Sequence, residues 1–176
     1  GAQWKYIVNG LGVTLEVTFF ALLLGTVIGI IVASIRSSYD QTKEDLRPGP
    51  GKLILTLLNS LCKLYLTVIR GTPVVVQLLI GYFIIFVSST NTVMVATLVF
   101  GINSGAYITE IIRGGIMSVD KGQFEAGRSI GFSYLQTMQL VIIPQAFKNV
   151  LPSLANEFIA LLKETAVCGY IGLMDL

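Results

Sequence analysis

Polar and ionisable side chains recur at helical spacing inside stretches that are otherwise apolar. Ser153, Asn156, Glu157, Ala160, Lys163 and Glu164 follow one three-and-four pattern. Asn103, Tyr107 and Glu110 follow a second, and Thr56, Asn59, Lys63, Thr67 and Arg70 a third. On a helix each set falls on one stripe. Side chains of these types bind and pass on a polar solute without making or breaking bonds, and ionisable groups at membrane depth face a cavity or a partner. The competing reading is that they form ion pairs or interhelical hydrogen bonds that only set packing. Glu110 with Arg113 or with Arg70 fits that description. Three polar faces converging favour a solute pathway, with Asn156, Glu157, Lys163, Glu164, Glu110 and Asn59 as its candidate contacts.

Other chemistry is excluded by what is missing. The chain has no histidine, which removes Ser–His and Cys–His catalysis, histidine–zinc sites and histidine-ligated haem. Its two cysteines, Cys62 and Cys168, lie far apart with no metal-ligand spacing and read as small apolar packing residues. No G-x-x-x-x-G-K-[ST] run is present to cradle a nucleotide's phosphates. Net charge is +2 and the charges are dispersed, which gives no nucleic-acid footprint.

The elements that must position these stripes are membrane helices. Of 176 residues, 53% are hydrophobic and only 12% charged, a composition for lipid rather than water and of a length for one domain. Four apolar segments stand out: about 11–35, 53–87, 93–113 and 150–170. Each is long enough to cross a hydrocarbon core of about 30 Å. The second is interrupted by Arg70-Gly71-Thr72-Pro73, where proline removes a backbone donor and glycine loosens the turn, so a hinge is expected there. Taking 53–87 as one broken helix puts the basic residues of 36–52 and of 113–148 on the same side, inside by the positive-inside rule. The N-terminus is then outside. A polar loop is expected over 38–52, punctuated by Pro48-Gly49-Pro50-Gly51. Gly25-x-x-x-Gly29 and Gly101-x-x-x-Gly105 are expected to be close-packing sites.

Residues 118–144 belong outside the membrane. Asp120-x-x-Gln123 reads as a helix N-cap with a capping-box partner, and Gly131 as the stop. Ser133-x-x-Gln136 starts a second short helix, expected to finish near Ile143, before Pro144. Glu125 and Arg128 are spaced to pair across the first helix.

Glu125-Ala126-Gly127, then Gly131, then Val141-Ile142-Ile143-Pro144 resembles the "EAA" signature of binding-protein-dependent ABC importer permeases, with its spacing kept. Gly127, Val141 and Ile143 are small apolar departures from it. Val68–Pro73, Asn103–Tyr107, Glu110, Arg113-Gly114 and Lys163-Glu164-Thr165 further resemble the permeases of polar amino acid importers of the histidine, arginine and glutamine type, over about 11–176. The resemblance implies an all-α, type I importer permease of the bacterial inner membrane. It implies a coupling helix, here Asp120, Phe124, Glu125, Ala126, Gly127, Arg128 and Gly131, that docks on a separate ATP-binding subunit. ATP and Mg would be held there and no cofactor by this chain. It also implies an extracytoplasmic solute-binding protein and, with one permease chain in view, a homodimer. Such permeases usually have a fifth span, which is not in this sequence.

Around the fourth segment acid exceeds base by one or two, which favours a cationic amino acid over glutamate; glutamine fits if Lys163 consumes Glu164 and Glu157 faces away. An ion-coupled secondary transporter is the alternative, since such proteins also use broken helices and buried carboxylates. A membrane enzyme or scaffold is a third reading, and the enzyme lacks any nucleophile–base constellation.

Overall fold

The computed structural model describes residues 2–42 and 49–171, which are helical almost throughout, with no strand among them. The order is α1 (Ala2–Thr42), α2 (Pro50–Gly71), α3 (Val74–Ile80) running into a π-helical turn (Gly81–Ile85), and α4 (Thr92–Met117). There follow α5 (Lys121–Ser129), α6 (Tyr134–Thr137) with a second π turn (Met138–Ile142), α7 (Ile143–Glu164) and a 3-10 turn (Thr165–Ile171). Three helical stretches are long and apolar enough to cross a membrane: Ile7–Gln41, Pro50–Gly71 and Thr92–Met117. Val74–Ile85 is apolar but shorter.

The centre of the bundle is the pairing of α1 with α4. A Cβ on Gly25 would lie 3.1 Å from the Gly105 nitrogen, and one on Gly29 would lie 2.6 Å from Ile108 Cγ2. Gly101 meets Leu24 at 2.6 Å and Gly105 meets Ile28 at 2.9 Å in the same sense. Rising numbers on one helix meet rising numbers on the other, so α1 and α4 run parallel. Both glycine pairs are close-packing sites, where missing side chains let two backbones approach and gain dispersion contacts that lipid cannot supply. Val17, Ala21, Val95, Ala96 and Phe100 extend this seam, and Leu78, Leu161 and Cys168 close it from α3 and from the end of the chain. Both cysteines are buried among apolar neighbours.

Two boundaries differ from expectation. The loop expected from Ser38 is still helix up to Thr42. At 41 residues and about 1.5 Å per residue, α1 is roughly 60 Å long, about twice a hydrocarbon core. Its C-terminal end is held by long-range partners: Arg113 Nη2 donates to Asp40 Oδ2 at 2.7 Å, and the Tyr134 hydroxyl donates to Gln41 Oε1. The expected turn at Pro48, with Lys43 and Arg47, lies outside the described residues.

The second difference is at Pro144. The helix begun at Tyr134 does not end before it, because the π turn at Met138–Ile142 shifts the hydrogen-bond register and leaves Pro144 in the first turn of α7. A proline there lacks only a donor with no partner to find. So α7 begins seven residues before Val150 and ends at Glu164. It is 22 residues long, enough for about 33 Å, but Lys148, Glu157, Lys163 and Glu164 make it a polar helix.

Candidate functional site

The break in the second span is built from side chains. Pro73 has no N–H, so the carbonyl of Ile69, four residues earlier, loses its helical donor. Gln77 Nε2 replaces it, donating to the Ile69 carbonyl at 2.7 Å and lying 3.0 Å from the Thr72 carbonyl and 3.2 Å from Thr72 Oγ1. Thr72 Oγ1 in turn donates to the Val68 carbonyl at 2.5 Å. Across the bundle, Asn103 Nδ2 donates to Gln77 Oε1 at 3.1 Å. Thr72 is extended, with φ −114° and ψ 137°, which ends α2 and lets α3 start at a new angle.

Beside this break the Arg70 guanidinium stands over the Tyr107 ring, 5.6 Å from its centroid. This pair borders three adjoining cavities of about 600, 660 and 320 Å³. The first is basic, with Arg36 and Lys63 beside Arg70. The second carries Glu110, Ser153 and Glu157, and the third is formed by Arg70–Val74 with Asn103 and Glu164. The cleft is thus cationic at one end and anionic at the other, with Arg70 common to all three parts. Ser104, fully buried, donates to Glu157 Oε1 at 2.9 Å and orients that carboxylate. Arg70 makes no ion pair among the described residues, whereas Arg113 pairs with Asp40 at 2.7 Å and with Glu110 at 3.5 Å.

The expected contacts therefore separate. Glu110, Glu157 and Glu164 border the cleft, and Glu110 is also held by Arg113. Asn156 and Lys163 are exposed, and neither is among the residues lining the three cavities. Each precedes a lining glutamate by one position and so lies about 100° round the helix from it. The stripe on α7 was in effect two faces: Ser153, Glu157 and Glu164 on one, Asn156 and Lys163 on the other. No ion pair joins Lys163 to Glu157 or Glu164 among the described residues. Asn59 is 2% exposed, lines none of these cavities, and its Oδ1 has no hydrogen-bond partner. Arg70 was expected only as part of the hinge, and Tyr107 only as part of a stripe. Gln77 was missed, although its place four residues after a helix-breaking proline is a readable signal.

A second feature is the hairpin of α5 and α6. Asp120 Oδ1 accepts from the Gly122 amide at 2.7 Å as N-cap. The reciprocal bond from Gln123 does not form; Gln123 instead accepts from Gln145 Nε2 at 3.3 Å. Gly131, at φ +92°, closes α5 with Phe132 N–H to Gly127 O at 3.1 Å and Gly131 N–H to Arg128 O at 3.1 Å, a Schellman turn. Glu125 and Arg128 do not pair, because Arg128 Nη1 donates to the Phe132 carbonyl at 3.0 Å, beyond that turn. Ser133 and Gln136 make the complete capping box. Gly127 has no room for a Cβ, which would sit 2.7 Å from Thr137 Cγ2. Phe124 packs edge-on against Tyr134 at 5.6 Å, and burial pushes the Tyr134 hydroxyl pKa up, keeping it a donor to Gln41. Glu125, Ala126 and Arg128 are left exposed.

Residues 53–176 match the family described as "Binding-protein-dependent transport system inner membrane component". The chain belongs to that family. It is 35% identical over 176 residues to the arginine transport system permease protein ArtQ of Bacillus subtilis, covering 98% of this chain and 74% of that one. A Rickettsia prowazekii protein assigned to a glutamine transport system, GlnP, is 37% identical over 174 residues, covering 97% and 73%. The crystal structure of an amino acid ABC transporter with histidines superposes with a TM-score of 0.84 at 38% identity, over 99% of this chain and 76% of that one. The inward-facing MetNI methionine transporter, at 20% identity and a TM-score of 0.79, shares the fold. The permease is therefore an all-α, type I importer component, the transport subunit of an amino acid ABC transporter and a multi-pass inner-membrane protein. Membership implies an ATP-binding subunit and a solute-binding protein as partners. The reading as an ion-coupled transporter is set aside.

Proposed function

We propose that the permease carries a basic amino acid through the cleft around Arg70 and Tyr107 by alternating access. The observation that carries this is the amphoteric lining: Arg70 lies beside Glu157 in one part of the cleft and beside Glu164 in another. Arg70 suits the α-carboxylate of the solute, while Glu157 and Glu164 suit its amine and a cationic side chain. Lys163 neutralises neither glutamate, and Glu110 is held by Arg113, so the acid surplus rests on the α7 face. The named relatives serve arginine, glutamine or cystine systems, which differ in charge, so kinship leaves the choice of solute to the lining. Flexing at Arg70–Pro73 would tilt α3 against α2 and open the cleft to alternate sides.

In this reading α5 is the cytoplasmic docking element for a separate ATPase that holds ATP and Mg, and two copies of the chain form a homodimer. The exposed Glu125, Ala126 and Arg128, on a short helix capped at both ends, support that role. The test is uptake by the reconstituted complex. Glu157→Gln should raise the KM for arginine at least about tenfold, the loss of roughly one charge contact, while Asn156→Ala leaves it unchanged. Arginine uptake unaffected by Glu157→Gln overturns the assignment of a basic solute.

A further inference from the structure

We infer that Gln77 is the positioning residue of the broken second span, setting the shape of Arg70–Pro73 and tying it to α4 through Asn103. A proline alone leaves a carbonyl without a donor and a joint free to swing. Here the Gln77 carboxamide occupies both ends of that problem. Its nitrogen lies within 2.7 Å of the orphaned Ile69 carbonyl and 3.0 Å of the Thr72 carbonyl, which brackets the break from both sides. Its oxygen accepts from Asn103, which is 3% exposed and lies one turn from Tyr107 on the helix that walls the cleft. The carboxamide has two N–H groups and three acceptors within reach, counting Thr72 Oγ1 at 3.2 Å. Sharing those hydrogens lets the joint shift by small steps without any one carbonyl being abandoned. Arg70, Gly71, Thr72 and Asn103 line one wall of the smallest cavity, so the position of Gln77 decides the dimensions of that wall. Gln77 does not line it; it acts through the residues that do.

The inference rests on the cleft being the solute pathway, so the test has one measurement that depends on transport and one that does not. In the reconstituted complex, Gln77→Ala should raise the KM for uptake about tenfold, the size expected for one buried carbonyl left unpaired, while kcat changes by less than about twofold. Gln77→Glu keeps the acceptor for Asn103 but loses the donor, and should behave like Gln77→Ala. In the same complex, hydrogen exchange of peptides covering 69–77 should quicken about tenfold in Gln77→Ala, with peptides from α1 and α4 unchanged. Adding Pro73→Ala to Gln77→Ala restores a backbone N–H for Ile69, so protection should return while the KM stays high, because the straightened helix no longer shapes the cavity. Unchanged exchange at 69–77 in Gln77→Ala overturns the inference, as does a rise spread equally over α1 and α4. Failure of the wild-type complex to take up any basic amino acid would count against the proposed solute, and the exchange comparison would still decide on Gln77.

Discussion

Arg70 and Arg113 carry the same charge on neighbouring helices, yet their surroundings give them different work. Arg113, with its side chain 15% exposed, lies between Asp40 of α1 and Glu110 of its own helix. It closes the end of the α1–α4 pair and consumes the charge of a carboxylate that the spacing had offered to the solute. Arg70 rests on an aromatic face instead, where a cation is favoured without being neutralised, and so stays available to an anion entering the cleft. The Arg113 tie is half open to solvent, with Asp40 43% exposed, so its contribution belongs near the surface scale of about 1 kcal/mol. Thermal unfolding of Arg113→Gln, Asp40→Asn and the double variant should give a coupling of that size. Strictly additive losses would remove the pair as a fastening of α1 to α4.

At the scale of elements, the short helix α5 has its ends defined independently of the rest of the bundle. Asp120 supplies the N-cap, and Gly131 takes the left-handed conformation that lets the Schellman turn close. Any side chain at Gly131 strains that turn by roughly 1–2 kcal/mol, though no atom stands within 4 Å of where its Cβ would be. The open space there means that a bulky group projects outward, into the volume a docked partner needs. Gly131→Trp should therefore leave the helical circular dichroism of the purified complex unchanged while ATP hydrolysis continues without uptake. Normal coupled transport in that variant would remove α5 as the docking element. The two π turns show the same economy: each shifts a helix by a residue where α3 and α6 must re-register, and the second lets the chain pass Pro144 unbroken.

For the whole molecule, the parallel contact of α1 with α4 decides everything built around it. It brings Asp40 to Arg113 and Gln41 to Tyr134, and so attaches the α5–α6 hairpin to the far end of α1. That physical route joins the docking face to the wall of the cleft, because α4 also carries Tyr107 and Glu110. The contact depends on glycine, since a side chain at Gly29 would enter the space of Ile108 at 2.6 Å. Gly29→Leu should lower stability by about 1–3 kcal/mol, read as a fall in the melting temperature of the detergent-solubilised complex. Gly12→Leu on the same helix, with nothing within 4 Å of its Cβ, is the matched control and should melt like wild type. Equal losses in the two variants would mean that Gly29 contributes only its conformational freedom, not the close approach.

Features encoded within one helical turn were legible in the sequence. The break at Pro73, the caps at Asp120 and Ser133, the stop at Gly131 and the glycine spacing of α1 and α4 all depend on backbone donors and side chains three or four residues apart. The lack of histidine and the EAA spacing likewise narrowed the chemistry to transport before any contact was known. What only the tertiary structure decided are the pairings between residues distant in the chain. Helix α1 runs on to Thr42 because partners at Arg113 and Tyr134 hold it, and no local signal announces them. The polar stripe of α7 divides into a lining face and an outer face because α4 covers one side of it and not the other. Glu110 leaves the set of free charges, and Arg70 joins it, only when helix packing fixes which cation each carboxylate meets. Periodicity places a side chain on a face of its own helix; the neighbours that give that face its chemistry are chosen by the fold.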